Sequence, residues 1–157
     1  MKLDQIAYYA HTEAQSNEIK KAMGLLDAEW IEDTAQGSVG TMRWSGAWEE
    51  GYSKGHLRFN YDLGIELEIL TYESGIHWHM DKPEFMERET FLSHVGFHMD
   101  KGEEVPAHVK EAGKLVQVMD TDKHTNAYIV QKERTYHYEI YSMPYGPDLK
   151  YIWRIEA

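Results

Sequence analysis

The sequence predicts an α+β protein built from two βαβββ modules within one structural domain. Three observations carry this. Strand-like alternation and helix-like spacing follow the same order in both halves of the 157-residue chain. The segment "LDQIAYY" (3–9) matches "LSHVGFH" (92–98). The segment "IELEIL" (65–70) matches "YHYEIY" (136–141), which pairs Glu68 with Glu139. A repeated unit of this kind buries against its own copy the apolar face it cannot cover alone.

Residues 2–10 alternate between apolar and polar and read as the first strand. Thr12-Glu13-Ala14-Gln15 has the spacing of a capping box, so a helix is expected from about Glu13. Ile19 and Met23 sit four apart on one face, and Gly24 is the expected stop. Residues 27–34, 38–44, 56–61 and 64–72 read as strands, and "WSGAWEEGYSKG" (44–55) reads as a Gly- and Trp-rich excursion, a surface insertion, a hinged lid or an oligomer contact. Modules are expected at 1–73 and 91–157, joined by a polar, irregular linker at 74–90. In the second half "FLSHVGFHM" is a strand. The segment "EEVPAHVKEAG" is a helix, with Pro106 in its first turn and Gly113 at its end. Residues 114–120, 125–131 and 135–142 are the expected strands that follow. The tail "GPDLKYIWRIEA" adds either a last strand or a partner contact.

Composition excludes several classes. The formal charge of −11 argues against a nucleic-acid or anionic-membrane surface, which needs clustered Lys and Arg. There are no cysteines, so disulfides and thiolate metal sites are absent, which fits a cytoplasmic protein. No apolar run is long enough to span a membrane, and the N-terminus lacks a signal-peptide pattern. Gly-rich phosphate loops, a GxSxG elbow and an HExxH helix are also missing.

Side chains two apart on a strand share a face. Val95, Phe97 and Met99 form one face of their strand, suited to lie under a helix, and His94, Gly96 and His98 form the other. By the same parity Ile6 and Tyr8 pack while Gln5, Ala7 and Tyr9 face away; Ile65, Leu67 and Ile69 pack while Glu66, Glu68 and Leu70 face away. In 136–141, Tyr138 and Ile140 are expected to pack while His137, Glu139 and Tyr141 face away. Four repeat-related positions on the faces turned from the helices thus hold Gln, Glu, His and Glu.

In "LSHVGFHMD", "EAGKLV", "IELEIL" and "YHYEIY" the sequence resembles the vicinal oxygen chelate superfamily, which contains glyoxalase I, extradiol dioxygenases, fosfomycin resistance enzymes and bleomycin resistance proteins. The resemblance covers nearly the whole chain. It implies a curved, barrel-like mixed sheet around a concave metal site, with the helices outside. It implies one ligand from the first and last strand of each module: Gln5, Glu68, His94 and Glu139. One imidazole, two carboxylates and an amide oxygen suit one divalent ion, Zn, Ni, Mn, Co, Fe or Mg. Such an ion polarises two vicinal oxygens of a substrate. By the same resemblance Glu139 is the first candidate for general base and Glu68 the second.

His98, His137, Tyr9 and Tyr141 share the inward parity and are the expected substrate-binding residues. Glu66 and His137 occupy equivalent repeat positions and are a candidate pair. His77 and His79 flank Trp78 in the linker and are read as incidental rather than ligating. Arg43, Arg58 and Arg134 fit either a substrate carboxylate or external ion pairs. The resemblance implies a glyoxalase-like lyase or isomerase acting on a small oxygenated molecule, in a homodimer. The alternatives are a metal-free drug-binding protein of the bleomycin resistance type, which would lack a complete ligand set, and an extradiol dioxygenase, which would need iron and a His at position 5.

Overall fold

The computed structural model describes residues 1–43, 48–76, 87, 90–121 and 135–155. Its elements run β1 (Lys2–Ala10), α1 (Glu13–Ala22), β2 (Ile31–Arg43), β3 (Trp48–Asn60), β4 (Glu66–Ile76), β5 (Thr90–Met99), α2 (Ala107–Ala112), β6 (Lys114–Thr121), β7 (Thr135–Ser142) and β8 (Asp148–Ile155). The strands close into one ring in the order β1-β4-β3-β2-β6-β7-β8-β5. β1 runs parallel to β4 and β5 parallel to β8, and the other neighbours are antiparallel. The fold is therefore a mixed eight-stranded α+β barrel. Its halves are β1–β4 and β5–β8, joined edge to edge at β1·β5 and β2·β6.

Local chemistry explains the first helix. Thr12 Oγ1 accepts from the Gln15 backbone N–H and Gln15 Oε1 accepts from the Thr12 N–H, so the expected capping box is present. Glu13 lies in the first turn and Lys20 and Lys21 in the last, which complements the helix dipole. Gly24, at φ +73°, takes the left-handed turn that ends it. α1 lays Ile19 against Ala10 and Ile69 on the outside of the wall, with Tyr8, Met23 and Trp30 around them. Burying a chain the size of Ile19 is worth about 1.5–3 kcal/mol. α2 covers the other half, where Val105 and Val109 pack on Met99, Tyr141, Met143 and Tyr151. Among the described residues no helix is long and apolar enough to cross a membrane.

Three strand assignments differ from the sequence expectation. The strands expected at 27–34 and 38–44 are one strand, β2. The tail is β8, the last strand of the second half, so "YHYEIY" is its third strand and corresponds to β3 rather than β4. β3 begins at Trp48, so much of the expected 44–55 excursion is strand. The expected strand at 125–131, His77, Trp78, His79, Arg134 and residues 44–47 lie outside the described residues.

Candidate active site

The inward faces of β1, β4, β5 and β8 bring five polar side chains together. Gln5 comes from β1, Glu66 and Glu68 from β4, His94 from β5 and Lys150 from β8, all buried. Each strand has one face under a helix and the other in the barrel, and these residues take the second parity. A register shift leaves Ser93 as an extra residue in β5, with Ala7 opposite His94 and Tyr8 opposite Leu92. This bulge turns both His94 and Phe91 inward. Gly96 lies opposite Gln5, where a Cβ would come within 3.0 Å of Gln5 Cβ, so its missing side chain makes room for the amide.

Hydrogen bonds connect the group. His94 Nε2 donates to Gln5 Oε1 at 2.9 Å, and His94 Nδ1 meets Ser93 Oγ at 2.9 Å, an arrangement that suits a neutral imidazole protonated on Nε2. Lys150 Nζ donates to the same Gln5 oxygen at 3.4 Å. The amide nitrogen of Gln5 donates to Glu66 Oε1 and, at 3.4 Å, to Glu68 Oε2. Tyr61 donates to the far oxygen of Glu66 at 2.9 Å. Lys150 Nζ also sits 4.5 Å from the centre of the Tyr138 ring, a cation–π distance.

Burial dominates the electrostatics. It pushes the Glu68 carboxyl up to about 8, Glu66 adds to the rise, and Lys150 opposes it. Burial, then Lys150, hold His94 well below the usual imidazole range, in keeping with its neutral tautomer. Beyond these groups the interior is aromatic: Tyr9 stacks on Phe91 with ring centroids 5.0 Å apart, beside Leu70 and Tyr72.

The structure thus brings Gln5, Glu68 and His94 together, but not Glu139. Glu139 pairs across the sheet with Tyr151, which packs under α2, so both lie on the outer face. There Glu139 accepts from Tyr141 at 3.0 Å and meets His137 Nε2 at 2.9 Å, while His137 Nδ1 meets Asp120 at 2.7 Å. Of the expected substrate-binding residues, Tyr9 and His98 have the inward parity, and His137 and Tyr141 are outside. Glu66 and His137 are not partners. The parity failed in β7 because both of its faces are rich in aromatics, and the interior takes Tyr138 and Ile140. Arg58 is an external ion-pair partner, bonded to Glu13 of α1 and to Thr71. Sequence reasoning missed Lys150, although "DLKYIWRI" alternates cleanly, with Leu149, Tyr151 and Trp153 on one side and Asp148, Lys150 and Ile152 on the other.

No family profile matches the chain, and no curated protein is recognisably similar to it in sequence. Solved structures do match. A hypothetical protein of Bacillus halodurans C-125 aligns at TM-score 0.51 and 11% identity, over 99% of this chain and 96% of its own. Methylmalonyl-CoA epimerase from Mycobacterium tuberculosis aligns at TM-score 0.53 and 9% identity, over 99% and 89%. A variant of 4-hydroxymandelate synthase from Streptomyces coelicolor aligns at TM-score 0.54 and 11% identity, over 99% of this chain and 48% of the synthase. The fold is that of the vicinal oxygen chelate proteins. At these identities the likeness concerns the fold and not the activity.

The vicinal oxygen chelate fold implies a metal ion held by the first and last strands of each half, and the donor set here can be tested against it. Gln5 faces Gly96 and Ala7 faces His94, so a two-fold relation between the halves exchanges Gln5 with His94 and Ala7 with Gly96. Ala7 lies beside Glu68 in β4, and Gly96 lies beside Lys150 in β8. Lys150 is therefore the counterpart of Glu68, and Asp148, which accepts from the Met143 N–H at 3.2 Å, is the counterpart of Glu66. An ammonium has no lone pair for a cation. Among the described residues no group of three His, Cys, Asp or Glu side chains is arranged to hold a metal. At Gln5, Glu68, His94 and Lys150 the side chains do not fit the expected ion, and Asp148, bonded to the Met143 N–H, completes no group with Glu66 and His94.

Proposed function

We propose that the barrel interior is the active site of an enzyme that moves a proton on a carbon next to a carbonyl group of a small oxygenated substrate. The observation that carries this reading is the burial together of two carboxyl groups, an imidazole and an ammonium inside one barrel. Such a cluster costs stability, and hydrophobic residues of similar volume would serve the fold as well or better. Buried titratable groups whose neighbours perturb them in this way gather at functional sites. That two structures with the same fold are enzymes by name accords with the reading.

Glu68 is the base. Its carboxylate takes a proton from the substrate carbon, the C–H bond breaks, an O–H bond forms on Glu68, and the electron pair moves onto the carbonyl oxygen. Return of the proton to the same carbon inverts or exchanges it; in a 2-hydroxy ketone, return to the former carbonyl carbon, with the hydroxyl proton passing to the former carbonyl oxygen, isomerises the substrate. Gln5 holds Glu68 through its amide nitrogen, and through its amide oxygen it fixes the neutral His94. No external redox partner is needed, because exchange and inversion leave both carbons at their oxidation level and isomerisation oxidises one carbon as it reduces its neighbour.

The test is exchange in deuterium oxide. A panel of small 2-oxo acids, 2-hydroxy ketones and acyl thioesters is incubated with the protein, and label at carbon is read by mass spectrometry. Uptake that is lost in Glu68→Gln supports the reading. No uptake with any member of the panel, or full uptake by Glu68→Gln, overturns it. The incomplete ligand set favours a second reading, sequestration of a small molecule without chemistry. Saturable binding in equilibrium dialysis with no exchange would select that one.

A further inference from the structure

We infer that Lys150 is the built-in cation of this site, its ammonium filling in charge and in position the place of the divalent ion that the fold implies. This deepens the proposed function and rests on it for what the cation does, but not for where the cation is. Three features carry the inference. The first is register: Lys150 stands on β8 where the two-fold relation between the halves requires the partner of Glu68. The second is geometry. Three polar side chains meet in the barrel, with His94 Nε2 at 2.9 Å from Gln5 Oε1 and 4.0 Å from Glu68 Oε1. Lys150 Nζ reaches the same Gln5 oxygen at 3.4 Å. A dication held by that oxygen would therefore lie beside a like charge in a buried setting, where repulsion is least screened.

The third feature is how the ammonium is held. It lies over the Tyr138 ring, and Lys150 is paired in the sheet with Ile140 on one side and Gly96 on the other. Ring and ladder keep a flexible chain at one point, which a surface lysine does not need. A compact, strongly hydrated point charge suits an oxygen carrying full or developing negative charge. The substrate class is accordingly one with an anionic or enolisable oxygen, neutralised by Lys150 rather than by a metal.

Metal binding by the purified protein tests this without any activity assay. Zinc, manganese and nickel are titrated calorimetrically into wild type, Lys150→Met and Lys150→Glu, with thermal shift before and after a chelator. The wild-type protein is expected to show no stoichiometric site. Lys150→Met, which removes the charge and keeps the volume, should bind at least about tenfold more tightly than wild type because the repulsion is gone. Lys150→Glu should gain about one equivalent, lost again when His94→Ala is added, because the fourth donor completes the set. Should Lys150→Glu fail to fold, the Met variant decides alone. One equivalent in the wild type that is lost in His94→Ala overturns the inference. So does a Lys150→Met protein that binds no better than wild type. Absence of deuterium exchange leaves these metal outcomes standing, and a wild-type metal site leaves the exchange result standing, so the two proposals fail separately.

Discussion

Gly96→Ala probes how closely β1 and β5 must approach to build the site. The added Cβ would sit 3.0 Å from Gln5 Cβ and 3.2 Å from Gln5 Oε1. Carbon atoms rest at about 3.5–4.0 Å, so the deficit is about 0.5–1 Å. The amide oxygen can swing aside, but Gln5 Cβ is fixed to a backbone held between β4 and β5. Relief must come from parting the strands, and overpacking of this kind costs about 1–3 kcal/mol. Swinging the amide also breaks the His94 bond, a further ~1 kcal/mol. Removing glycine from a strand returns about 0.5–1 kcal/mol, since Gly96 has no positive φ to lose. The net is a loss of about 1–3 kcal/mol, or roughly 2–12 °C in melting temperature for a chain of this size. Urea denaturation of wild type, Gly96→Ala, Gln5→Gly and the double variant measures it. If Gln5 is the obstacle, the double variant loses about 1 kcal/mol less than the two single losses added together. A Gly96→Ala protein within about 0.5 kcal/mol of wild type, or strict additivity with Gln5→Gly, would refute the packing argument.

Other expectations follow from the same geometry. Gly55→Ala should be worse than Gly96→Ala, because its Cβ would collide with the Thr71 carbonyl oxygen, a backbone atom that cannot swing aside; denaturation midpoints that rank the two the other way would contradict this. Glu139→Ala should lower stability, since it strips partners from His137 and Tyr141, yet leave ligand binding and exchange in the barrel unchanged; a loss of binding at equal foldedness would return Glu139 to the site. Burial works against protonation of His137, but its bonds to Glu139 and Asp120 outweigh that and raise its pKa above 6.5. The stability this contributes is fully present below the unfolded value and is lost as pH rises through the raised folded value. His137 is partly exposed, so after screening the effect is at most about 1 kcal/mol. His137→Gln should flatten the pH–stability curve above about pH 6.5, and an unchanged curve would count against it. Thr12→Ala should cost about 1 kcal/mol by opening the capping box, read from the same denaturation curves.

How far the site could be read from residues alone differs strand by strand. Gln5, Glu68 and His94 were legible because β1, β4 and β5 each pair a strongly apolar face with a polar one, so parity alone turns them inward. β7 offers no such contrast. Tyr136, Tyr138 and Ile140 alternate with His137, Glu139 and Tyr141, and either face can be buried. Likeness to "IELEIL" points to the outer face and to the strand before the last, and makes Glu139 look like the counterpart of Glu68. Lys150 is hidden at the level of sequence because β8 follows a Pro- and Gly-bearing turn and reads as a tail.

By itself the sequence determined what depends on near neighbours: the duplicated βαβββ order, the capped first helix, and which residues of the clearly two-faced strands lie in the barrel. Hydrophobic periodicity and capping are local, and they survive without knowledge of the partner strand. Only the tertiary structure decided which strand closes each half, because pairing between β5 and β8 joins residues some fifty positions apart, a choice no local pattern encodes. That closure made Lys150 the counterpart of Glu68 and sent Glu139 to the outer wall. The charge at the centre of the barrel is a property of strand register rather than of composition.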